Sequence, residues 1–350
     1  MNKYEISING RSIGDAYPPY IVAELSGNHN GDINRAFELI DEAKRAGVDA
    51  IKLQTYTPDT LTLDHDGPGF VLSEGAWEGR KLYELLGEAM TPWEWHEELF
   101  AKARDVGLTI FSTPFDPTSV DFLERLDPPI YKIASFEIVD IPLIEMVAGT
   151  GKPIIMSTGM ANADEIQDAV SAARGAGCKD LVLLHCISGY PTRPEECNLR
   201  TIPDLAQKYD VIAGLSDHSL EASIPVAATV MGAALIEKHF TMRRSDGGPD
   251  ASFSLEPQEM TQLVHDCRTA YAALGTVNYD IAPSEAKYVK MRRSLYIVDD
   301  VKVGEAFTEN NVRSIRPGFG LAPKHYQAVL GRTAKVDLKR GTPLSEEYFA

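Results

Sequence analysis

Lysines, histidines and glutamates sit at the ends of apolar runs in this chain, a placement that serves chemistry better than it serves folding. Gly214-Leu-Ser-Asp-His218 and Ile236-Glu-Lys-His-Phe240 each close a run rich in Val, Ile, Ala and Leu. Such runs read as buried parallel strands. Their ends gather Ser216, Asp217 and His218, then Glu237, Lys238 and His239. Two imidazoles at neighbouring strand ends can share one divalent ion and leave positions open for water or substrate. Such an ion polarises a carbonyl or activates water. Glu24 and Glu237 are the candidate general acid/base groups. Lys52 and Lys132, with the hydroxyls of Ser135, Ser157 and Ser216, suit a phosphate or carboxylate. A strand-end His often does no more than bond a backbone carbonyl, and Ser or Thr there often caps a turn. Neither explanation covers the two lysines, because a buried Lys is costly unless paired. The set describes a metal-assisted reaction between a phosphorylated anion and a carbonyl compound. The chain has no GxGxxG and no Walker A segment, which argues against dinucleotides and ATP.

These groups need a scaffold that brings many strand ends together. Apolar runs at Tyr20–Glu24, Ala50–Gln54, Leu108–Ser112, Ile130–Ala134, Pro153–Met156, Leu181–Leu184, Tyr209–Leu215 and Ala233–Ile236 give eight strands. Helical segments follow them, as in Ile33–Ala46 with Gly47 at its C-cap. That alternation predicts an α/β fold, a (β/α)8 TIM barrel whose active site lies at the C-terminal strand ends. Residues 3–13 alternate around Asn9-Gly10 and predict a β-hairpin covering one barrel end. The insertion Tyr56–Met90, with a short helix near Lys81–Leu86, is long enough to be a lid or binding loop. After it, Thr91-Pro-Trp-Glu94 predicts a helix start, with Thr91 as N-cap and Pro92 at N1. The barrel domain is expected over residues 1–280 and a polar linker over 281–291. A compact β-rich module over 292–350 is expected to use the runs Leu295–Val298, Val312–Ile315 and Ala334–Val336.

Bulk properties narrow the partners. The 350 residues carry a formal net charge of −17, which disfavours nucleic acid and anionic membranes. An anionic substrate must then be held by locally placed cations. Cys178, Cys186, Cys197 and Cys267 form no CxxC pair and read as reduced thiols of a cytoplasmic protein. The polar N-terminus lacks a signal-peptide core. The apolar stretch Ile224–Ile236, broken by Pro225 and Gly232, is too short to span a bilayer.

Several segments together carry a resemblance. They are Ala23-Glu-Leu-Ser-Gly-Asn-His-Asn-Gly31, Ile51-Lys-Leu-Gln54, Ser112-Thr-Pro-Phe-Asp116, Tyr131-Lys-Ile-Ala-Ser135, Ser157-Thr-Gly-Met160, the two histidine motifs and Arg316-Pro-Gly318. The set resembles the sialic acid synthase family, phosphoenolpyruvate-dependent synthases of nonulosonic acids. The resemblance implies a transferase with a barrel and a C-terminal antifreeze-like (SAF, β-clip) domain. It implies metal ligands at His218 and His239; an open site with so few protein ligands suits Mn or Mg. It places phosphoenolpyruvate contacts at Lys52, Thr113, Lys132, Ser135, Ser157, Ser188 and Ser216. Ser188 departs from the family pattern, which often has Asn there. Sugar contacts fall on Gln54, Tyr190, Asp250 and Arg316, the last supplied across a domain-swapped homodimer. Gln54-Thr-Tyr-Thr-Pro-Asp59, Lys81-Leu-Tyr-Glu-Leu85, Thr91-Pro-Trp-Glu-Trp-His96, Ala134-Ser-Phe-Glu137, Phe253-Ser-Leu255 and Arg293-Ser-Leu-Tyr296 are most similar to one branch of the family. That branch condenses phosphoenolpyruvate with an N-acetylated amino sugar, 2,4-diacetamido-2,4,6-trideoxy-L-altrose. Sister branches take N-acetylmannosamine or the legionaminic precursor. A non-catalytic sugar-binding protein would be expected to lose lysines or histidines. An aldolase working without phosphoenolpyruvate would not need the lysines and the row of serines.

Overall fold

The computed structural model describes residues 5–75 and 77–349. The chain divides into two compact units, Met1–Gly275 and Thr276–Ala350. The first opens with a hairpin of β1 (Ile6–Ile8) and β2 (Arg11–Ile13), paired antiparallel. Residues 3 and 4 of the expected hairpin lie outside the described residues. Eight parallel strands then close into a barrel: β3 (Tyr20–Glu24), β4 (Ala50–Thr55), β5 (Thr109–Pro114), β6 (Tyr131–Ile133), β7 (Ile154–Ser157), β8 (Leu181–Cys186), β9 (Ile212–Asp217) and β10 (Leu235–His239). β10 pairs with β3 and completes the circle.

Side chains along each strand alternate between barrel interior and helix-covered exterior. Ile21, Ala23, Ile51, Leu53, Ile110, Ile133, Met156, Leu183 and Ile236 pack outward under the helices in one large core. Tyr20, Val22, Ala50, Phe111, Ile155, Val182 and Leu235 point inward at the other strand positions. They share a second core with Ile6, Ile8 and Ile13 of the hairpin. The hairpin thus closes the end where the strands begin. Arg11 locks it there through Asp49, 2.8 Å away, whose other oxygen accepts from the Ile21 amide. With one end filled by hydrocarbon, the interior is left open to chemistry at the end where the strands finish.

Local signals explain the helices. Residues Ile33–Ala46 are helical, with Asp32 accepting from the Asn34 amide and Gly47 at φ 83° turning the chain out. The start expected at Thr91 is corrected. Trp93–Trp95 form a 3-10 turn, and the α-helix runs His96–Asp105. The His96 ring reaches back over that turn to the Pro92 carbonyl, 3.1 Å away. The insertion carries helices Pro58–Leu61 and Leu82–Ala89. The barrel unit's last helix is Pro257–Leu274. No described helix is long and apolar enough to cross a membrane.

The second unit has its own core of Leu295, Ile297, Val301, Phe307, Val312, Val329, Leu338 and Leu344. Its β11 (Ser294–Ile297) and β12 (Val312–Ile315) pair antiparallel. The third expected strand, at Ala334–Val336, is reduced to an isolated bridge between Ala334 and Phe349.

Candidate active site

The strands run further than their apolar residues, so the chemically active side chains are strand residues themselves. On β10, Leu235, Glu237 and His239 alternate inward; on β9, Ile212, Gly214 and Ser216 do the same. The alternation sends Asp217 and Lys238 to the outer side. There they pair at 2.6 Å, and Lys238 also donates to the Ser219 carbonyl. Those two residues of the histidine motifs therefore brace the wall behind the site. Gly214 has no room for a side chain, since a Cβ there would lie 2.3 Å from the Leu235 carbonyl oxygen.

Inside, four charges interlock just above the apolar plug. Lys52 Nζ lies 2.5 Å from Glu24 Oε2 and 3.7 Å from Glu237 Oε1, and donates to Thr113 Oγ1 at 3.0 Å. Lys132 Nζ donates to both Glu237 oxygens at 2.9 Å. Ser216 Oγ donates to Glu237 Oε1 at 3.4 Å. All four charged groups are buried, a cost that only mutual pairing offsets. Burial pushes the Glu24 carboxyl up, Lys52 pulls against it, and the nearby Glu237 adds to the rise. Burial acts the same way on Glu237, but Lys132 and Lys52 outweigh it and hold that carboxyl below its ordinary range. The Lys52 ammonium loses by burial and gains more from Glu237 and Glu24, ending raised. Lys132 ends lowered, because burial exceeds what Glu237 restores. One carboxyl is thereby inclined to hold a proton, and the other to stay a carboxylate between two cations.

A pocket of hydroxyls adjoins this cluster. Ser157 ends β7, and its buried Oγ has no partner among the described residues. Gly159, at φ 43°, lets neighbouring serines close in beside it: a Cβ there would come within 2.3 Å of Ser135 Cβ and 3.0 Å of Ser188 Oγ. The glycine thereby gathers the Ser135 and Ser188 hydroxyls beside the unsatisfied one of Ser157. An anion with several oxygens fits such a cradle.

Above the charges, the His218 and His239 rings lie 5.3 Å apart, centre to centre. His218 Nδ1 is 3.0 Å from the Ile187 carbonyl oxygen. A carbonyl can only accept, so Nδ1 carries a proton and Nε2 is the nitrogen left to ligate. Burial works against charging this ring, but Cys186 and the Ile187 carbonyl outweigh it and raise the imidazole above its ordinary range. His239 Nδ1 is buried without a hydrogen-bond partner among the described residues, with Asp250 Oδ2 4.0 Å away. Burial and the neighbouring His218 hold the His239 imidazole neutral. The orphaned His239 nitrogen and Nε2 of His218, which an ion would have to relieve of any second proton, fit a divalent ion. No group of three or more His, Cys, Asp or Glu with metal-ligand spacing occurs among the described residues. An ion here would rest on two imidazoles and take its other ligands from water or substrate.

Of the remaining expected residues, Gln54 stands two positions beyond Lys52 on β4, half-buried, with Thr113 as its β5 neighbour. The Tyr190 ring lies 4.4 Å from that of His218. Arg316 belongs to the second unit and follows β12 directly. The sequence reading passed over three side chains. Cys186 faces inward at the end of β8, 3.8 Å from His218 Nδ1. Phe253 lies 5.0 Å from both Tyr190 and His239. Trp77, from the insertion, lies 5.4 Å from Tyr190. The available signal for Trp77 was a single large aromatic in an otherwise polar, Gly-bracketed loop.

The NeuB family profile matches residues 39–279, and that of the SAF domain matches residues 292–349. The pseudaminic acid synthase of Helicobacter pylori is 44% identical over 94% of this chain and 97% of its own length. The N,N'-diacetyllegionaminic acid synthase of Legionella pneumophila is 36% identical over 98% of each. The crystal structure of an N-acetylneuraminic acid synthetase from Leptospira borgpetersenii in complex with citrate aligns with a TM-score of 0.73 and 34% identity, covering 82% of this chain and 95% of that one.

Proposed function

This chain belongs to the NeuB family, and we propose on that footing that it is a pseudaminic acid synthase. It condenses phosphoenolpyruvate with 2,4-diacetamido-2,4,6-trideoxy-L-altrose and water, giving pseudaminic acid and phosphate. The observation that carries this reading is the buried Glu24–Lys52–Glu237–Lys132 cluster, set beside a group of serine hydroxyls and beneath two imidazoles.

Each group has a part in that reaction. Lys52 and Lys132, with Thr113, Ser135, Ser157, Ser188 and Ser216, hold phosphoenolpyruvate and take up the charge of the phosphate as its C–O bond breaks. Glu237 keeps both ammonium groups aimed at one place. Gln54, Tyr190 and Asp250 orient the sugar so that its aldehyde carbon meets C3 of phosphoenolpyruvate. Glu24 places the water that adds at C2, or moves its proton. His218 and His239 would hold a divalent ion, Mn or Mg, which when bound supplies a Lewis acid for the aldehyde. The resemblance also supports a cytoplasmic homodimer in which Arg316 of the partner subunit contacts the sugar. Light scattering should give twice the chain mass; a monomer that turns over fully would end that part of the proposal.

The decisive assay is phosphate release from phosphoenolpyruvate by the metal-loaded protein, with each acceptor offered separately and an EDTA control. Metal-dependent release with the L-altrose derivative alone is expected. Release with N-acetylmannosamine or the legionaminic precursor instead would move the substrate within the family. No release with any acceptor would sink the synthase reading.

A further inference from the structure

The insertion between β4 and β5 is anchored over the barrel mouth by Trp77. Its neighbours Glu74, Gly75, Glu78 and Gly79 are exposed, while Trp77 itself is half-buried. Its indole Nε1 donates to the Pro249 carbonyl at 2.8 Å, bridging to the loop that follows β10. Its ring lies 5.4 Å from Tyr190 and 6.3 Å from Phe253. Those two rings in turn lie against the imidazoles, Tyr190 at 4.4 Å from His218 and Phe253 at 5.0 Å from His239. The aromatic groups thus form a ladder: imidazoles first, then Tyr190 and Phe253, then Trp77.

We infer that Trp77 is a specificity-determining residue for the acceptor, and that it selects a sugar whose end remote from the aldehyde is deoxygenated. The inference rests on the acceptor proposed above. A sugar whose aldehyde meets the imidazole end extends along the ladder, and its far end arrives at Trp77. The single indole N–H is already committed to Pro249, so the ring offers that end only carbon. Phe253, fully buried behind these rings, brings no polar atom to that end either. A C6 methyl gains by packing there. A C6 hydroxyl gives up its water and finds no donor or acceptor on the indole. An apolar wall rejects an added hydroxyl only moderately, by about a hundredfold. The preference is therefore of that order, and removing the ring should erase most of it.

The test compares wild type, Trp77→Phe and Trp77→Ala. For each, kcat/KM and calorimetric Kd are measured with the 6-deoxy acceptor and with 2,4-diacetamido-2,4-dideoxy-L-altrose, the same sugar with its 6-hydroxyl restored. Phenylalanine retains a donor-free ring but not the bond to Pro249; alanine retains neither. Expected are a 6-deoxy preference in wild type, most of it kept in Trp77→Phe, and a fall of about ten- to a hundredfold in Trp77→Ala. The KM for phosphoenolpyruvate should stay within a factor of about two, as the anion site lies lower in the barrel. An unchanged preference in Trp77→Ala, or equal losses in both variants, would overturn the inference. Equal losses would make Trp77 a latch that merely holds the loop. The wild-type assay reads the acceptor proposal separately: a wild type that refuses the 6-deoxy sugar overturns both, whereas a flat variant series overturns only the role of Trp77.

Discussion

Glu24 bears most on chemistry at the scale of single residues. One oxygen accepts from the Ser26 amide at 3.0 Å, and the other meets Lys52 at 2.5 Å. Glutamine at this position keeps the size and an acceptor but cannot exchange a proton. Lys52 would still face Glu237 at 3.7 Å and donate to Thr113, so the ammonium is not left alone. The fold should therefore escape the full cost, about 3–5 kcal/mol, of orphaning a buried charge. Turnover should not escape. Losing a positioned acid/base lowers kcat by about a hundred- to ten-thousandfold, with one limb of the pH–rate profile flattened. Steady-state rates for Glu24→Gln across the pH range decide it. Near-full turnover with an unchanged profile would remove Glu24 from the mechanism.

At the scale of elements, the barrel was legible because its signal is local. Eight apolar runs, spaced for intervening helices, announce the alternation, and Gly47 marks a helix end by its own geometry. The strand ends were less legible. A sequence reading stops each strand where apolarity stops, and so reads Ser216-Asp-His218 and Glu237-Lys-His239 as clusters. The structure continues the pleat through Asp217 and His239. Alternation then splits each cluster, sending Ser216, Glu237 and His239 inward and Asp217 and Lys238 outward. Polar side chains can occupy strand interiors here because each finds its partner on another strand. That partnership spans long separations, as between Lys132 and Glu237, and nothing local encodes it. The aromatic ladder was hidden for the same reason, since Trp77 meets Tyr190 only after the insertion folds across the mouth. The Ala334–Val336 run shows the opposite failure: its β-like composition supplied an isolated bridge rather than a strand.

At the scale of the whole molecule, acid should weaken the fold by a route the net charge obscures. His29 and His96 are buried, and burial is the main force holding both imidazoles down to about 4, against an ordinary value of 6.5. His96 Nε2 meets Thr55 Oγ1 at 2.8 Å, and Thr55 in turn meets Ser112 at 2.6 Å, all behind the barrel wall. Above pH 6.5 neither folded nor unfolded chain protonates these rings, so they cost nothing. Between 6.5 and 4 the unfolded chain binds protons that the folded chain refuses, and stability falls with pH. At pH 5 the loss is about 2 kcal/mol for each histidine. Acid also titrates carboxylates and relieves the repulsion within a chain of net charge −17, which works in the other direction. A comparison of variants cancels that shared effect. His96→Gln can still bond Thr55 but has no proton to gain. Its Tm should therefore drop less than that of wild type between pH 7 and pH 5, by the equivalent of about 2 kcal/mol. Parallel drops in the two proteins, followed by thermal unfolding at both pH values, would mean that the folded wall admits the proton and that burial does not keep His96 neutral.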